Sequence, residues 1–399
     1  MLRIGIVLFV LSVFSLNLAS QAKFVSIYDF NGCGTKDING NLGNISNSVL
    51  AQCDCGVDNE AIIMNSNSLE LPLNIDSLFK LDFTICFDVL IENVVGEVDL
   101  LSKSLKCNSD TTIDISYRTK DSIFTIFLKE GNDESYILFA KADAKSCWQN
   151  VCLSIIGGDI RIYINGQEAA NVFASDRLRL DNGVPLTFNS SDCQFNNLTA
   201  LRGRLDRILF ANYGFKKDEI RKYFIPQQKI ITQDTIIFLG DQVQLRAVSN
   251  CPSGVNWSPS STLNNSNILN PIASPIIDTK YSTFFNLGNC RINDSVLIRV
   301  VDKDKLQCEK ISLPTAFTPN GDNLNEEYFI SNPYLITKLN YFDILDRNGS
   351  LIFSTNDPLA KWDGTYKSKL LNPGTFYYRI EYECKNSTYK NRGSFFLMR

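Results

Sequence analysis

Histidine is missing from all 399 residues. Without imidazole there is no Ser-His or Cys-His nucleophile pair, and the usual nitrogen ligand of zinc is gone. An excess of either charge is missing too: 39 Lys and Arg stand against 43 Asp and Glu, a net charge of −4. That balance gives no field for holding a phosphate backbone, so nucleic acid is excluded as a partner. Beyond the N-terminus no stretch approaches the ~20 apolar residues that span a bilayer, so the mature chain is expected to carry no transmembrane segment. Helical periodicity is nearly absent as well. Only Lys216 to Phe224 shows it, with Ile220, Tyr223 and Phe224 at helical spacing and Pro226 as the stop.

Phenylalanine and tyrosine are plentiful, at 26 and 15, which points to a globular, strand-rich chain long enough for several cores. Met1 to Ala22 has a positive start at Arg3, an apolar core from Ile4 to about Leu16, and small Ser20 and Ala22 at cleavage spacing; it is expected to be a signal peptide. Ser12, Ser15 and Asn17 interrupt the run too soon for an anchor. In an exported chain the 12 Cys are read as disulfides before metal ligands. Eight lie before residue 226, Cys251 and Cys290 lie in the next region, and Cys308 and Cys384 in the last. Each region holds an even number, so pairing within regions is expected, Cys251 with Cys290 and Cys308 with Cys384.

The last ninety or so residues carry the densest set of motifs. Leu313-Pro-Thr-Ala-Phe-Thr-Pro-Asn-Gly-Asp322 has two prolines that confine it to an edge strand ending in a turn. Leu339 to Leu345 and Ser350 to Phe353 flank Asp346-Arg-Asn-Gly349, with Asn348-Gly349 expected as a type I′ pair. Trp362-Asp-Gly-Thr365, Pro373-Gly-Thr-Phe-Tyr-Tyr378 and a strand from Gly393 to Arg399 complete a small antiparallel sandwich. In this order the motifs resemble the gliding motility-associated C-terminal domain, the type B sorting domain of proteins exported by the type IX secretion system of Bacteroidota. The resemblance implies that machinery as a partner and an extracellular or outer-membrane location. The family usually has Gly at the position of Asn323 and Asp at that of Glu326. Asn320, Asp322, Asn325 and Glu326 gather oxygen side chains that suit Ca²⁺, the one cofactor considered; an Asx turn needing no ion is the preferred alternative.

From Lys23 to Pro226, strand-like runs recur at sandwich spacing: Phe24 to Phe30, Leu71 to Leu73, Leu81 to Leu90, Thr112 to Arg118, Ser122 to Lys129, Ser135 to Ala140, Trp148 to Ile156 and Asp159 to Ile164. Phe83-Thr-Ile-Cys-Phe87, Trp148-Gln-Asn-Val-Cys-Leu153, Ile160-Arg-Ile-Tyr-Ile-Asn-Gly166 and Gly203-Arg-Leu-Asp-Arg-Ile208 resemble the laminin G-like, concanavalin A-like jelly roll. That family often has His where Gln149 stands. Some jelly rolls are glycoside hydrolases with three carboxylates on one strand; Glu97-Val98-Asp99 begins that pattern, but Leu101 and Ser102 occupy the third place, so no enzyme is expected. Aromatic rings are the expected platform for sugars, drawn from Trp148, Tyr117, Tyr136 and Tyr163. On alternation, Ile162 and Ile164 point inward and Arg161 and Tyr163 outward, so Arg161, Tyr163 and Trp148 are the candidate ligand residues. Arg177, Arg179, Arg202, Arg204 and Arg207 are read as a solvated face in preference to a patch for acidic sugars.

From Gln227 to Asp302, five short strands and the run Trp257-Ser-Pro-Ser-Ser-Thr-Leu263 resemble an immunoglobulin-like or PKD-like spacer, with Trp257 in its core. The expected chain is all-β: signal peptide 1–22, jelly roll 23–226, spacer 227–302 and sorting domain 303–399. It is expected to be a surface-displayed, non-enzymatic binding protein for carbohydrate or surface glycan. The alternative is a structural adhesin or gliding component that binds other surface proteins.

Overall fold

The computed structural model describes residues 22–47, 52–65, 67–92, 94–104, 111–131, 134–189, 198–250, 255–287, 290–321 and 324–399. The expected signal peptide therefore lies outside the described residues, apart from Ala22. The chain forms two compact units, one of residues up to Thr235 with Gln242–Ile298, the other of Ile236–Asp241 with Arg299–Arg399. Among the described residues no helix is long and apolar enough to cross a membrane.

The first unit is built on two facing sheets. Its strands are β1 (Val25–Tyr28), β2 (Ser46–Asn47), β3 (Cys53–Cys55), β4 (Glu60–Asn65), β5 (Leu69–Glu70), β6 (Phe83–Ile91), β7 (Glu97–Lys103) and β8 (Thr111–Arg118). There follow β9 (Ile123–Glu130), β10 (Glu134–Lys141), β11 (Gln149–Ile156), β12 (Asp159–Ile164), β13 (Gln167–Phe173), β14 (Thr187–Phe188), β15 (Thr199–Ala200) and β16 (Arg202–Ala211). One sheet runs β13-β12-β11-β6-β16-β4-β3 with β1 beside β16, the other β10-β9-β8-β7-β14-β5-β2 with β15 beside β7. The core lies between them. In β9, Phe124, Ile126 and Leu128 are wholly buried while Ile123, Thr125 and Phe127 are half-buried on the other side, which is what a period of two demands of a strand with one covered face. Strand β6 is different, because helix α1 (Lys217–Tyr223) and neighbouring loops lie over its outer face and bury both sides. The run Leu71 to Leu73 is not a strand; a 3-10 turn occupies Leu73–Lys80 instead.

The strands Val255–Ser258, Thr279–Leu287 and Cys290–Val301 pair in succession, and Trp257 is buried with its indole N–H donating to the Ile268 carbonyl at 3.1 Å. This second sandwich is docked on the first. Val57, Ala61, Leu90 and Trp148 share one buried cluster with Leu287 and Ile292. Cys147 and Cys290 are disulfide-bonded across the same junction. The expected Cys251–Cys290 bridge is thereby excluded, and Cys251 itself lies outside the described residues. Parity of cysteines within regions failed as a guide because two modules that share a core can share a bridge.

In the second unit a five-stranded sheet runs Ala316–Phe317, Ser387–Leu397, Gly374–Cys384, Lys338–Leu345, Leu351–Thr355. Cys308 pairs with Cys384 as expected. Phe317, Tyr328, Trp362, Phe376 and Phe395 fill the core, with Tyr328 stacked on Phe395 at 3.6 Å between ring centroids. Gly393 faces Tyr378 across the ladder, where a Cβ would come within 2.6 Å of the phenol oxygen. The Asp346–Ser350 turn is not type I′: Gly349 has φ +80° but Asn348 is not left-handed, and the Asp346 carboxylate accepts both the Asn348 and Ser350 N–H groups at 2.8 Å. Successive left-handed residues occur instead at Lys367 and Ser368, between the short paired strands Thr365–Tyr366 and Lys369–Leu370, and at Lys385 and Asn386, in the hairpin between the last two strands.

Candidate functional site

At one end of the jelly roll the two sheets part to form a mouth. A cavity of about 530 Å³ opens there, lined by the end of β6 at Ile91, by Val94, by the β8–β9 turn from Tyr117 to Ser122, and by the segment after β10. The second sandwich supplies Cys290 and Ile292 to the same wall. Tyr117 points inward from β8 and packs on Phe124 with ring centroids 4.8 Å apart.

The wall after β10 is held by one side chain. Gln149 is buried; its carbonyl oxygen accepts the Asp143 N–H at 2.8 Å, and its amide nitrogen donates to the Asp143 and Ser146 carbonyls at 2.9 and 2.6 Å. The Asp143 carboxylate in turn accepts the Lys145 N–H and the Asn165 amide. Gln149 thus fixes a loop where the resemblance led one to look for an imidazole. A second, smaller cavity of about 310 Å³ lies on the far side of this loop, between Asn165, Phe224 and Asp294.

Of the three ligand residues expected from sequence, none has a free face. Tyr163 does point away from the sandwich core, as alternation requires, but it is 1% exposed because Phe215 and Ile220 cover it beside the Cys86–Cys152 bridge. Trp148 is 2% exposed and sits in the junction with the second sandwich. Arg161 is half-exposed and engaged by Asp159 at 2.8 Å and Glu168 at 3.0 Å. Tyr163 and Trp148 are corrected accordingly from platform to core. The arginines do not form one face either: Arg204 pairs with Asp54, Arg177 with Asp82, and Arg207 is buried, not solvated.

In the sorting unit, Asn325 takes a left-handed φ of 54° and its carbonyl accepts the Thr318 N–H at 2.8 Å. Asp322, the central candidate of that loop, lies outside the described residues. Asn320 and Glu326 each have interactions of their own. Among the described residues no group of three acidic or cysteine side chains is arranged to hold a metal ion.

Glu97 and Asp99 lie on the outer face of β7, opposite Arg118 and Ser116. At the third place Leu101 enters the core, and Ser102 donates to Asp114 of β8 at 2.5 Å. Burial raises the Asp114 carboxyl above its ordinary range. A cross-strand carboxylate of this kind has no signature in a single-strand pattern.

A buried pair of acids lies beside the junction between the two sandwiches. Asp88 and Asp206 are cross-strand partners in β6 and β16, with Arg207 beside them, its Nη1 at 3.7 Å from Asp88. Asp206 accepts the Val57 and Asp58 N–H groups at 2.7 and 3.1 Å, and the Val57 carbonyl accepts the amide of Gln227 at 3.1 Å and that of Asn250. Burial above all, with repulsion from Asp88, pushes Asp206 up to about 8. Burial, relieved in part by Arg207, pushes Asp88 up to about 6. Both lie above the ordinary 3.8, so the folded chain binds protons that the unfolded chain has released. Stability contributed by the protonated pair is therefore full below about pH 4 and is lost as pH rises through 6 to 8. Asp37 and Asp76 are lowered and act oppositely, but only below the ordinary carboxylate range. The melting temperature of the first unit is expected to fall steadily from pH 5 to pH 9, and Asp206→Asn to flatten that slope; calorimetry across this range with an unchanged midpoint would contradict the assignment.

Set beside solved structures, the chain is similar to domain 4 of AbnA, a GH43 extracellular arabinanase from Geobacillus stearothermophilus, at 13% identity and a TM-score of 0.40, covering 50% of this chain and 97% of that one. It is also similar to the CBM40 of Ruminococcus gnavus IT-sialidase, at 15% identity and a TM-score of 0.32, covering 38% and 85%. No curated protein matches the chain. Residues 64–221 match the Laminin_G_3 family of the concanavalin A-like lectin/glucanases superfamily, and residues 311–397 match the CHU_C type IX secretion signal domain. This is an exported all-β chain that joins a concanavalin A-like jelly roll to a type IX secretion signal domain.

Proposed function

We propose that this exported protein binds carbohydrate at the mouth of its jelly roll and displays that site at the cell surface without catalysing a reaction. The observation that carries the reading is the mouth cavity. Its volume of about 530 Å³ lies in the range of small-ligand sites and has room for one or two sugar rings. Tyr117 offers an aromatic ring against which the apolar face of a pyranose can lie, with Ile91, Val94 and Ile292 around it and hydroxyl and ammonium groups at the rim. The strand pattern that would hold a hydrolase's acid and nucleophile is broken at Leu101 and Ser102.

Ala144 is exposed on the cavity rim, away from the core, so a large side chain there fills the mouth without disturbing the fold. On a glycan array the full chain is expected to retain a defined set of glycans and Ala144→Trp to lose them, with an unchanged melting temperature and no release of reducing ends by either protein. Retention of the same glycans by a folded Ala144→Trp protein would refute the site. Selective capture of an outer-membrane protein with no glycan retained would favour the adhesin reading.

A further inference from the structure

We infer that the unit recognised in the mouth is negatively charged, an acidic glycan carrying carboxylate or sulfate groups. This rests on the reading of the mouth as a carbohydrate site and adds the ligand's charge. Four charged side chains line the cavity: Lys120, Asp121, Lys141 and Asp143. The two carboxylates are already engaged. Arg118 grips Asp121 through Nε at 2.9 Å and Nη2 at 2.8 Å. Asp143 holds its own loop, accepting the Lys145 N–H at 2.9 Å and the Asn165 amide at 3.2 Å.

Most of the remaining polar groups of the wall are turned to structural use as well, although the Tyr117 and Ser122 side chains also line the cavity. The Gln149 amide is consumed by the loop, and the hydroxyls of Ser146 and Thr119 donate to the Trp148 and Gly96 carbonyls. Among the described residues, neither Lys120 nor Lys141 has a carboxylate within 4.0 Å or any hydrogen-bond acceptor; both are exposed, one in the β8–β9 turn and the other at the end of β10. An ammonium group donates three hydrogen bonds and accepts none, so the charged groups left to meet a ligand ask it for acceptors and for negative charge. In a chain whose net charge is −4, two cations with no ion pair among the described residues, on the rim of one cavity lined by an aromatic ring, make the mouth a local exception.

The test is calorimetric titration of the full chain with polygalacturonate, which carries carboxylate, with dextran sulfate, which carries sulfate, and with neutral dextran. Binding of at least one acidic polymer and none of dextran is expected. Lys120→Gln with Lys141→Gln should weaken it about tenfold or more without moving the melting temperature, and raising salt should act in the same direction. Lys367→Gln with Lys369→Gln, both in the other unit and neither part of the cavity lining, should change nothing, which separates a built site from general attraction to a polyanion. Failure of both acidic polymers to bind, or equal loss from the control pair, overturns the inference. If neutral dextran binds, resists the mouth-lysine changes and is lost in Ala144→Trp, the mouth stands as a carbohydrate site and the acidic ligand falls. If Ala144→Trp leaves all binding intact, both fall.

Discussion

A chain shortened to end at Asp302 is expected to fold, to remain in the periplasm and to be absent from the cell surface. Residues 311–397 match the type IX secretion signal domain, and the second unit has its own aromatic core and its own Cys308–Cys384 bridge. Cutting after Asp302 keeps the strand Cys290–Val301 whole and leaves Cys33–Cys53, Cys86–Cys152 and Cys147–Cys290 in place, so the first unit retains every bridge described for it. Cutting later, at Leu313, would strand Cys308 without its partner and add a misfolding route unrelated to export. Protease shaving of intact cells should digest the full chain and spare the shortened one, which osmotic shock should then release. Equal surface exposure of the two chains would contradict the role given to the C-terminal unit.

Cys147→Ser with Cys290→Ser is the second change expected to have a large effect. The bridge closes a separation of 143 residues, a loop for which the chain-entropy treatment gives about 5 kcal/mol of stabilisation. The apolar cluster of Val57, Leu90, Trp148, Leu287 and Ile292 remains at the junction, and the measured loss is expected to be smaller than the loop entropy alone. Trp148 reports the junction and Trp257 the second sandwich, while Trp362 belongs to the other unit. In urea, the double variant should show the Trp257 transition separating to lower denaturant from that of the jelly roll. Glycan affinity should fall with it, because Cys290 and Ile292 wall the mouth. A single transition at the original midpoint would show that the apolar contact alone holds the two sandwiches together.

The fold was readable because its signal is periodic and local. Phe124, Ile126 and Leu128 announce the inward face of β9 by spacing alone, and the sorting unit's motifs mark turns whose chemistry is fixed by Pro and Gly. The site was not readable in the same way. A period of two says to which side of its sheet Tyr163 points, but not that Phe215 and Ile220, some fifty residues later, cover that side. Trp148 was read as a platform because nothing in its neighbourhood names Leu287 and Ile292. Conversely, Lys120 and Lys141 look like ordinary polar residues of a turn and a strand end; only the folded chain shows that their neighbours' charges are engaged elsewhere. Arg207 misled for another reason. The strand is irregular between Asp206 and Leu209, with a left-handed φ of 45° at Arg207, so Arg207 lies outside the sandwich core beside Asp88, where its Nη2 donates to the Tyr223 carbonyl and the end of the helix covers it.

The central claim is the place at which the jelly roll meets its ligand, and hydrogen–deuterium exchange of the full chain with and without a glycan selected on the array addresses it most directly. New protection should appear in Tyr117–Ser122 and Lys141–Gln149, which wall the mouth, with the strands β12 and β13 unchanged. Protection confined to Asp159–Phe173 or to the outer face of β7 and β8, with the mouth segments unaltered, would contradict it.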